Sequence, residues 1–193
     1  MKKVKKVVIL ISGPHGTGKS TVARVIAEEF GLRYISAGEI FRKKAREYGM
    51  NIVEFTKYVE KNPEIDYEID NAMMEEIKKG DVVLDSQLAY FFAKKIKAEE
   101  LVTVSILLYA SFEERARRLA EREDISLENA KAEIKAREES EKDRFERLYG
   151  AKLWSIEDFD IVINTTQLKK DESIEICVKI VETFIKIKCG LIS

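Results

Sequence analysis

The chain has 193 residues, 36% of them charged, with 34 Lys and Arg against 35 Asp and Glu for a formal net charge of −1. That length fits one domain with a substantial core, and the balanced charge excludes a protein drawn to nucleic acid or anionic membrane by its overall field. No stretch approaches the roughly 18 apolar residues of a membrane span. MKKVKK at the N-terminus resembles the charged start of a signal peptide, but the apolar run behind it is too short, so it reads as the solvated beginning of a strand in a cytosolic protein. Residues 7–11 form that run, the pattern of a buried parallel strand. GPHGTGKST follows, in which Gly13, Gly16, Gly18, Lys19 and Ser20 fill the pattern GxxxxGK[ST], a loop whose backbone N–H groups converge on an anion. Val22, Val25, Ile26 and Phe30 then recur at helical spacing, so the loop joins a strand to a helix N-terminus, where the macrodipole adds to the attraction for phosphate. Pro14, His15, Thr17 and Thr21 complete the phosphate-cradling segment. Lys19 is expected to reach the β- and γ-phosphates, and the Ser20 hydroxyl to be a ligand of Mg²⁺. His15, the only histidine, reads as a loop-shaping or solvent-facing side chain and not as a catalytic base.

Further along, a short strand RYIS precedes a largely helical stretch to about residue 79, and apolar strands recur as VVLD, VTVSILLY and DIVIN. Strands alternating with helices predict an α/β, three-layer P-loop NTPase fold around a five-stranded parallel sheet, with ligands at the carboxyl ends of the strands. Ser36, Gly38 and Arg42 follow the second strand. Arg42 suits a phosphate because its planar fork makes two bonds at once; a surface helix arginine is the alternative. Asp85 closes the third strand, either holding Mg²⁺ through water or capping a turn. Arg118 and Arg122 form a pair one turn apart, whereas Arg115 and Arg117 have no assignable role. Arg137, Glu141 and Arg144 are spaced i, i+4, i+7 on one helical face. They are either two arginines gripped by a glutamate and aimed at one target, or exposed pairs worth about 0.3–0.5 kcal/mol. Cys177 and Cys189 lack further ligands at metal spacing and are expected to be ordinary packing. Abundant charge with scarce Gln and Cys is a balance seen in proteins from hot environments.

GPHGTGKST, ISAGEIFR, NPEIDYEID, VVLD, and REESEKDRFERLYG followed by DIVINT occur in the order found in archaeal-type cytidylate kinases, and the chain resembles that family over nearly its whole length. The resemblance implies a nucleoside monophosphate kinase domain with a core at 1–36, 81–121 and 151–193, an acceptor-binding insert at 37–80 and a mobile lid at 122–150. It implies ATP-binding by the loop and by Arg118, stacked on the donor base. Acceptor contacts fall to Ser36, Gly38, Arg42, Asp70, Gln87, Arg137 and Glu141. Lys19, Arg42, Arg122, Arg137 and Arg144 are the implied catalytic cations, and Ser20 with Asp85 the metal site. The implied reaction passes the γ-phosphoryl of MgATP to CMP or dCMP in a monomer that engages neither nucleic acid nor membrane. Two departures stand out: where the family reads IDRRQ and EGR, this chain reads IDNAMM and LDSQ. Asn71 and Gln87 thus stand where arginines would meet the acceptor, which removes charge but keeps hydrogen-bonding capacity. Three readings stay open: the remaining arginines suffice, the acceptor is a different monophosphate, or the activity is weakened. From another class, a P-loop ATP-binding switch or assembly factor would hydrolyse ATP slowly with no acceptor present.

Overall fold

In the computed structural model, which describes residues 5–96 and 98–190, the apolar run at 7–11 lies in β1 (Lys6–Ser12), the middle strand of the sheet. The others are β2 (Arg33–Ser36), β3 (Val82–Asp85), β4 (Leu101–Tyr109) and β5 (Ile161–Asn164). All five pair in parallel, in the order β2-β3-β1-β4-β5. Period-two alternation divides the side chains of β1 between two faces. Ile9 and Ile11 pack with Val83, Val104 and Ile106 against α1 (Lys19–Glu29) and α8 (Lys170–Lys188), where Val22, Ile26, Cys177 and Val181 are buried. Val8 and Leu10 pack on the other face with Val82 and Leu84, under Met73 and Ile77 of α4 (Glu64–Lys79) and Leu88, Tyr90 and Phe92 around the short α5 (Ala89–Ala93). Each such aliphatic side chain contributes about 1.5–3 kcal/mol by leaving water, so the two faces fix the three layers.

The helical stretch after β2 resolves into α2 (Ala37–Glu47), α3 (Ile52–Val59) and α4, which share a small core of Ala45, Phe55, Val59, Ile65 and Ile69. Asn51 starts α3 with a capping box closed by Glu54. Beyond β4, α6 (Phe112–Glu123) and the 23-residue α7 (Leu127–Tyr149) pack through Ala116, Leu119, Ala130 and Ile134. Cys177 has no exposure, and burial pushes its thiol up to about 11, which suits a packing role. Of the expected N-terminal strand start, residues 1–4 lie outside the described residues, while Lys6 donates from Nζ to the carbonyl of Lys79 at 2.9 Å. Among the described residues, no helix is long and apolar enough to cross a membrane.

Strand register sets the position of the site. Asp85 pairs with both Ile11 of β1 and Ser36 of β2, so a carboxylate and a hydroxyl end their strands side by side where the loop after β1 begins.

Candidate active site

The glycines of GPHGTGKS are required by geometry. Gly13, Gly16 and Gly18 take φ values of 144°, 83° and 93°, in the region that side chains disfavour. A Cβ on Gly13 would lie 2.0 Å from the carbonyl oxygen of Leu108, and one on Gly16 would lie 2.5 Å from that of Arg115. Gly18 starts α1 without any side-chain cap, so the first-turn N–H groups are open to an anion. Gly13 and Pro14 lie buried beneath the loop and shape it, while residues 15–21 line a cleft of about 570 Å³. The Pro14 carbonyl accepts from Thr17 Oγ1 and from Lys19 Nζ, each at 2.9 Å. Burial pulls the Lys19 ammonium down to about 8, against the opposing charges of Asp85 and Glu141.

Asp85 collects the hydroxyls around it. Its Oδ2 accepts from Ser20 at 2.6 Å, Ser36 at 3.2 Å and Tyr34 at 3.4 Å. Ser36 also caps α2, accepting from the Glu39 N–H. The carboxylate–hydroxyl pair of Asp85 and Ser20 is the donor set Mg²⁺ takes when phosphates and water fill its other positions, because that ion needs only one or two protein oxygens. The sequence reading singles out Ser20, Ser36 and Asp85 but not Tyr34, whose phenol is pushed up to about 12 by burial and by Asp85.

Cations line the rest of the cleft. The Arg42 guanidinium lies over Gly38, and burial followed by the charges of Arg137 and Arg122 lowers its pKa. Arg137 is 6% exposed, its nearest carboxylate is Glu133 at 3.5 Å, and its Nε is buried with no hydrogen-bond partner. Among the described residues Arg122 pairs with its chain neighbour Glu123, and it keeps more than half its side chain exposed. Arg118 is committed at its edge, donating to the carbonyls of Thr165 at 2.7 Å and Leu168 at 3.3 Å and to Glu114.

Helix α7 corrects the expected grip of Glu141 on two arginines. Although Arg137, Glu141 and Arg144 share a face, the Arg144 fork turns to α4 and binds Asp66 through Nε at 2.8 Å and Nη2 at 3.3 Å, while Nη1 donates to Ser140. Arg144 is 2% exposed, so its charge is met within the protein. Glu141 instead meets His15 Nε2 at 2.9 Å and Gln87 Nε2 at 3.4 Å. Burial, then the charge of Arg137, lowers the pKa of His15, which favours a neutral imidazole donating from Nε2. Burial opposes the charge on Glu141, but the His15 contact and the charges of Arg137 and Arg144 hold its carboxyl down at about 2. His15 therefore shapes the loop and does not face solvent. Arg115, which has no assignable role from sequence, is the buried buttress: it donates to the His15 carbonyl at 2.8 Å and pairs with Glu138, which accepts the His15 N–H at 2.9 Å.

Asp70 lines the cleft and accepts from the Tyr149 hydroxyl at 2.8 Å; burial pushes its carboxyl up to about 7. Asn71, one residue on, is exposed and does not line the cleft, contrary to its expected place at the acceptor. A helix turns each successive residue by roughly 100°, so facing the cleft with Asp70 takes Asn71 out of it. Gln87 does line it. Asp66 was detectable as the partner of Asp70 at i, i+4 in EIDYEID; Arg115 and Glu138 carried no spacing signal.

The sequence profile of the cytidylate kinase-like family matches residues 8–167. A cytidylate kinase of Ignicoccus hospitalis is 44% identical over 168 residues, covering 87% of this chain and 95% of its own. One from Methanopyrus kandleri is 42% identical over 174 residues, covering 88% and 90%. Among solved structures, a shikimate kinase from Bacteroides thetaiotaomicron aligns with a TM-score of 0.58 at 15% identity, over 93% of this chain and 98% of its own. A gluconokinase from Sinorhizobium meliloti aligns with a TM-score of 0.58 at 14% identity, over 99% and 97%. These two likenesses are of fold: a P-loop kinase sheet with its helices.

The Arg144–Asp66 pair generates a stability prediction. Asp66→Ala strands a buried guanidinium, and urea unfolding is expected to show a loss of about 3–5 kcal/mol. A loss under about 1 kcal/mol would mean that water or another carboxylate reaches Arg144.

Proposed function

This chain belongs to the cytidylate kinase-like family, and on that premise we propose that it transfers the γ-phosphoryl group of ATP to CMP, giving CDP and ADP. One observation carries the reading: Arg137 is buried in the cleft wall with an unpartnered Nε, and its charge bears on both Arg42 and Lys19. Cations that repel one another around a cavity are stabilised by an anion bound between them, and two phosphate chains supply it.

The chemistry follows from placement. ATP phosphates lie on the N–H groups of residues 16–20, with Lys19 against the β- and γ-phosphates. Arg118, bonded at its edge, leaves its flat faces for the donor base. The acceptor phosphate sits toward Ser36, Gly38, Arg42 and Arg137. Its second pKa is about 6, so at neutral pH it is already a dianionic nucleophile and needs no base. Ser20 and Asp85 would hold Mg²⁺, which when bound neutralises charge on the β- and γ-phosphates. The protein aligns the two phosphates and stabilises the charge of a loose transition state through Lys19, Arg42, Arg122 and Arg137. Residues 37–80 serve as the acceptor-binding insert and residues 122–150 as a lid, whose closure keeps water from competing as acceptor. Arg144 acts in this scheme by holding α7 against α4.

A coupled assay across CMP, dCMP, UMP, AMP and dTMP tests the reading: ATP consumption should rise most with CMP. ATP turnover that no monophosphate stimulates would favour a switch that hydrolyses ATP alone. Lys19→Met should cut turnover by about a hundred- to a thousandfold with the circular dichroism spectrum intact, since the lost charge acts on the transferring group. Equal activity in the variant would place the chemistry elsewhere.

The lowered Lys19 pKa gives a pH profile. Its cationic form holds phosphate and prevails below about 8, so kcat/KM for ATP should be level below that value and fall tenfold per pH unit above it. Bound phosphates raise the lysine pKa, so kcat should persist to higher pH than kcat/KM. Coincident falls in the two parameters would remove Lys19 as their cause.

A further inference from the structure

Gln87 is held from both ends by groups that leave its amide only one orientation. Its Oε1 accepts from the indole Nε1 of Trp154 at 3.0 Å, and its Nε2 approaches Glu141 Oε2 at 3.4 Å. Indole N–H can only donate and an ionised carboxylate can only accept, so both neighbours require the carbonyl toward Trp154 and the NH₂ toward Glu141 and the cleft. The backbone is fixed as well, because the Gln87 carbonyl accepts from Ser12 Oγ at 3.2 Å.

Trp154 is an unusual residue to hold that bond. Only three non-glycine residues among those described have positive φ: Asp81, Asp124 and Trp154, the last at 62°. Aspartate tolerates the left-handed region, but for a bulky aromatic it is a costly conformation that the surroundings must impose, of the kind that gathers at functional sites. The strain delivers the indole N–H to Gln87, while Lys142 Nζ lies 5.2 Å from the centre of the ring.

We propose that Trp154 is a positioning residue that fixes the Gln87 amide with its N–H bonds toward the acceptor's phosphate, so that a neutral donor serves that phosphate. The inference rests on the kinase reading above. Phosphate, and not the base, is favoured by location: Glu141 ties Gln87 to His15 of the phosphate loop, and Arg137 lies one turn before Glu141 on α7. The weak 3.4 Å contact to Glu141 leaves the amide hydrogens available to a phosphate oxygen.

Steady-state kinetics with CMP and ATP test this. Trp154→Phe keeps an aromatic ring while removing the donor; the CMP KM should rise about fivefold, with kcat and the ATP KM within twofold of wild type. Inhibition by cytidine, which lacks the phosphate, should be unchanged. In a Gln87→Leu background the same substitution should add nothing, because Trp154 acts only through the amide. Each of four results would overturn the proposal: an unchanged CMP KM, an equal rise in the ATP KM, equally weakened inhibition by cytidine, or effects that add to those of Gln87→Leu. Should Trp154→Phe fail to fold, the single tryptophan of the chain gives a second measurement. Gln87→Leu should shift the one indole N–H resonance of the free protein and speed its exchange with water, and an unmoved signal overturns the proposal. Wild-type protein that does not phosphorylate CMP would defeat the kinase reading instead, while the indole measurement still decides the contact.

Discussion

The withdrawal of cations from water around one cleft is the constraint on which this structure depends. Lys19, Arg42 and Arg137 come from three different elements and face one cleft; burial, and then the charge of Arg137, lowers the pKa of the first two, and Arg137 keeps an unpartnered Nε. Such an arrangement is costly without an anion, because charges in a partly dry cavity are weakly screened. The fold tolerates it through carboxylates nearby. Asp85 and Glu141 oppose the lowering of Lys19, while the carboxylate that pairs with Arg137, that of Glu133, stands at 3.5 Å. What remains is a site with a deficit of negative charge, which is the physical content of a phosphate-binding cleft.

Helix α7 is the element that connects the two halves of that cleft. Through Glu138 and Glu141 it holds the phosphate loop at His15, and through Arg144 it holds Asp66 of α4. Buried ion pairs of this kind add little net stability, since desolvation offsets much of their attraction, whereas losing one partner is expensive. Their value lies in register: if α7 moved along or about its axis, three pairings would fail together. Arg137 directly precedes these points of attachment on α7, so its place in the cleft is set largely by contacts that it does not itself make.

At Gln87, a neutral amide in the cleft wall shifts the demand onto orientation. An arginine can meet a phosphate from several directions, but an amide must turn the correct end toward it, and a misoriented glutamine presents a repelling carbonyl. Trp154 and Glu141 impose that choice on Gln87. Asp70 and Tyr149 form a second neutral-leaning pair, in which burial raises both groups.

The strands, the phosphate loop and the helix behind it were legible in the sequence because their determinants are local. Period-two burial, an unbroken apolar run and a glycine pattern act over ten residues or fewer, and the residues that predicted β1 to β5 are those found in them. The cations of the cleft were legible one by one, from the motif and from a family resemblance. Their partners were not. Helical spacing put Glu141 with Arg137 and Arg144, yet Glu141 bonds His15, 126 residues away, and Arg144 bonds Asp66, 78 away. Spacing on a helix tells which side chains share a face, not what that face meets, and in a chain rich in both charges any arginine has many possible carboxylates. Packing of α7 across the sheet and α4 selected among them, as it turned Asn71 outward and gave Arg115 a buttressing role. By itself the sequence determined the sheet, the loop and the sign of the charge that the site lacks; the tertiary structure decided which charges are spent inside the protein and which are left for a ligand, because that depends on contacts between elements far apart in the chain.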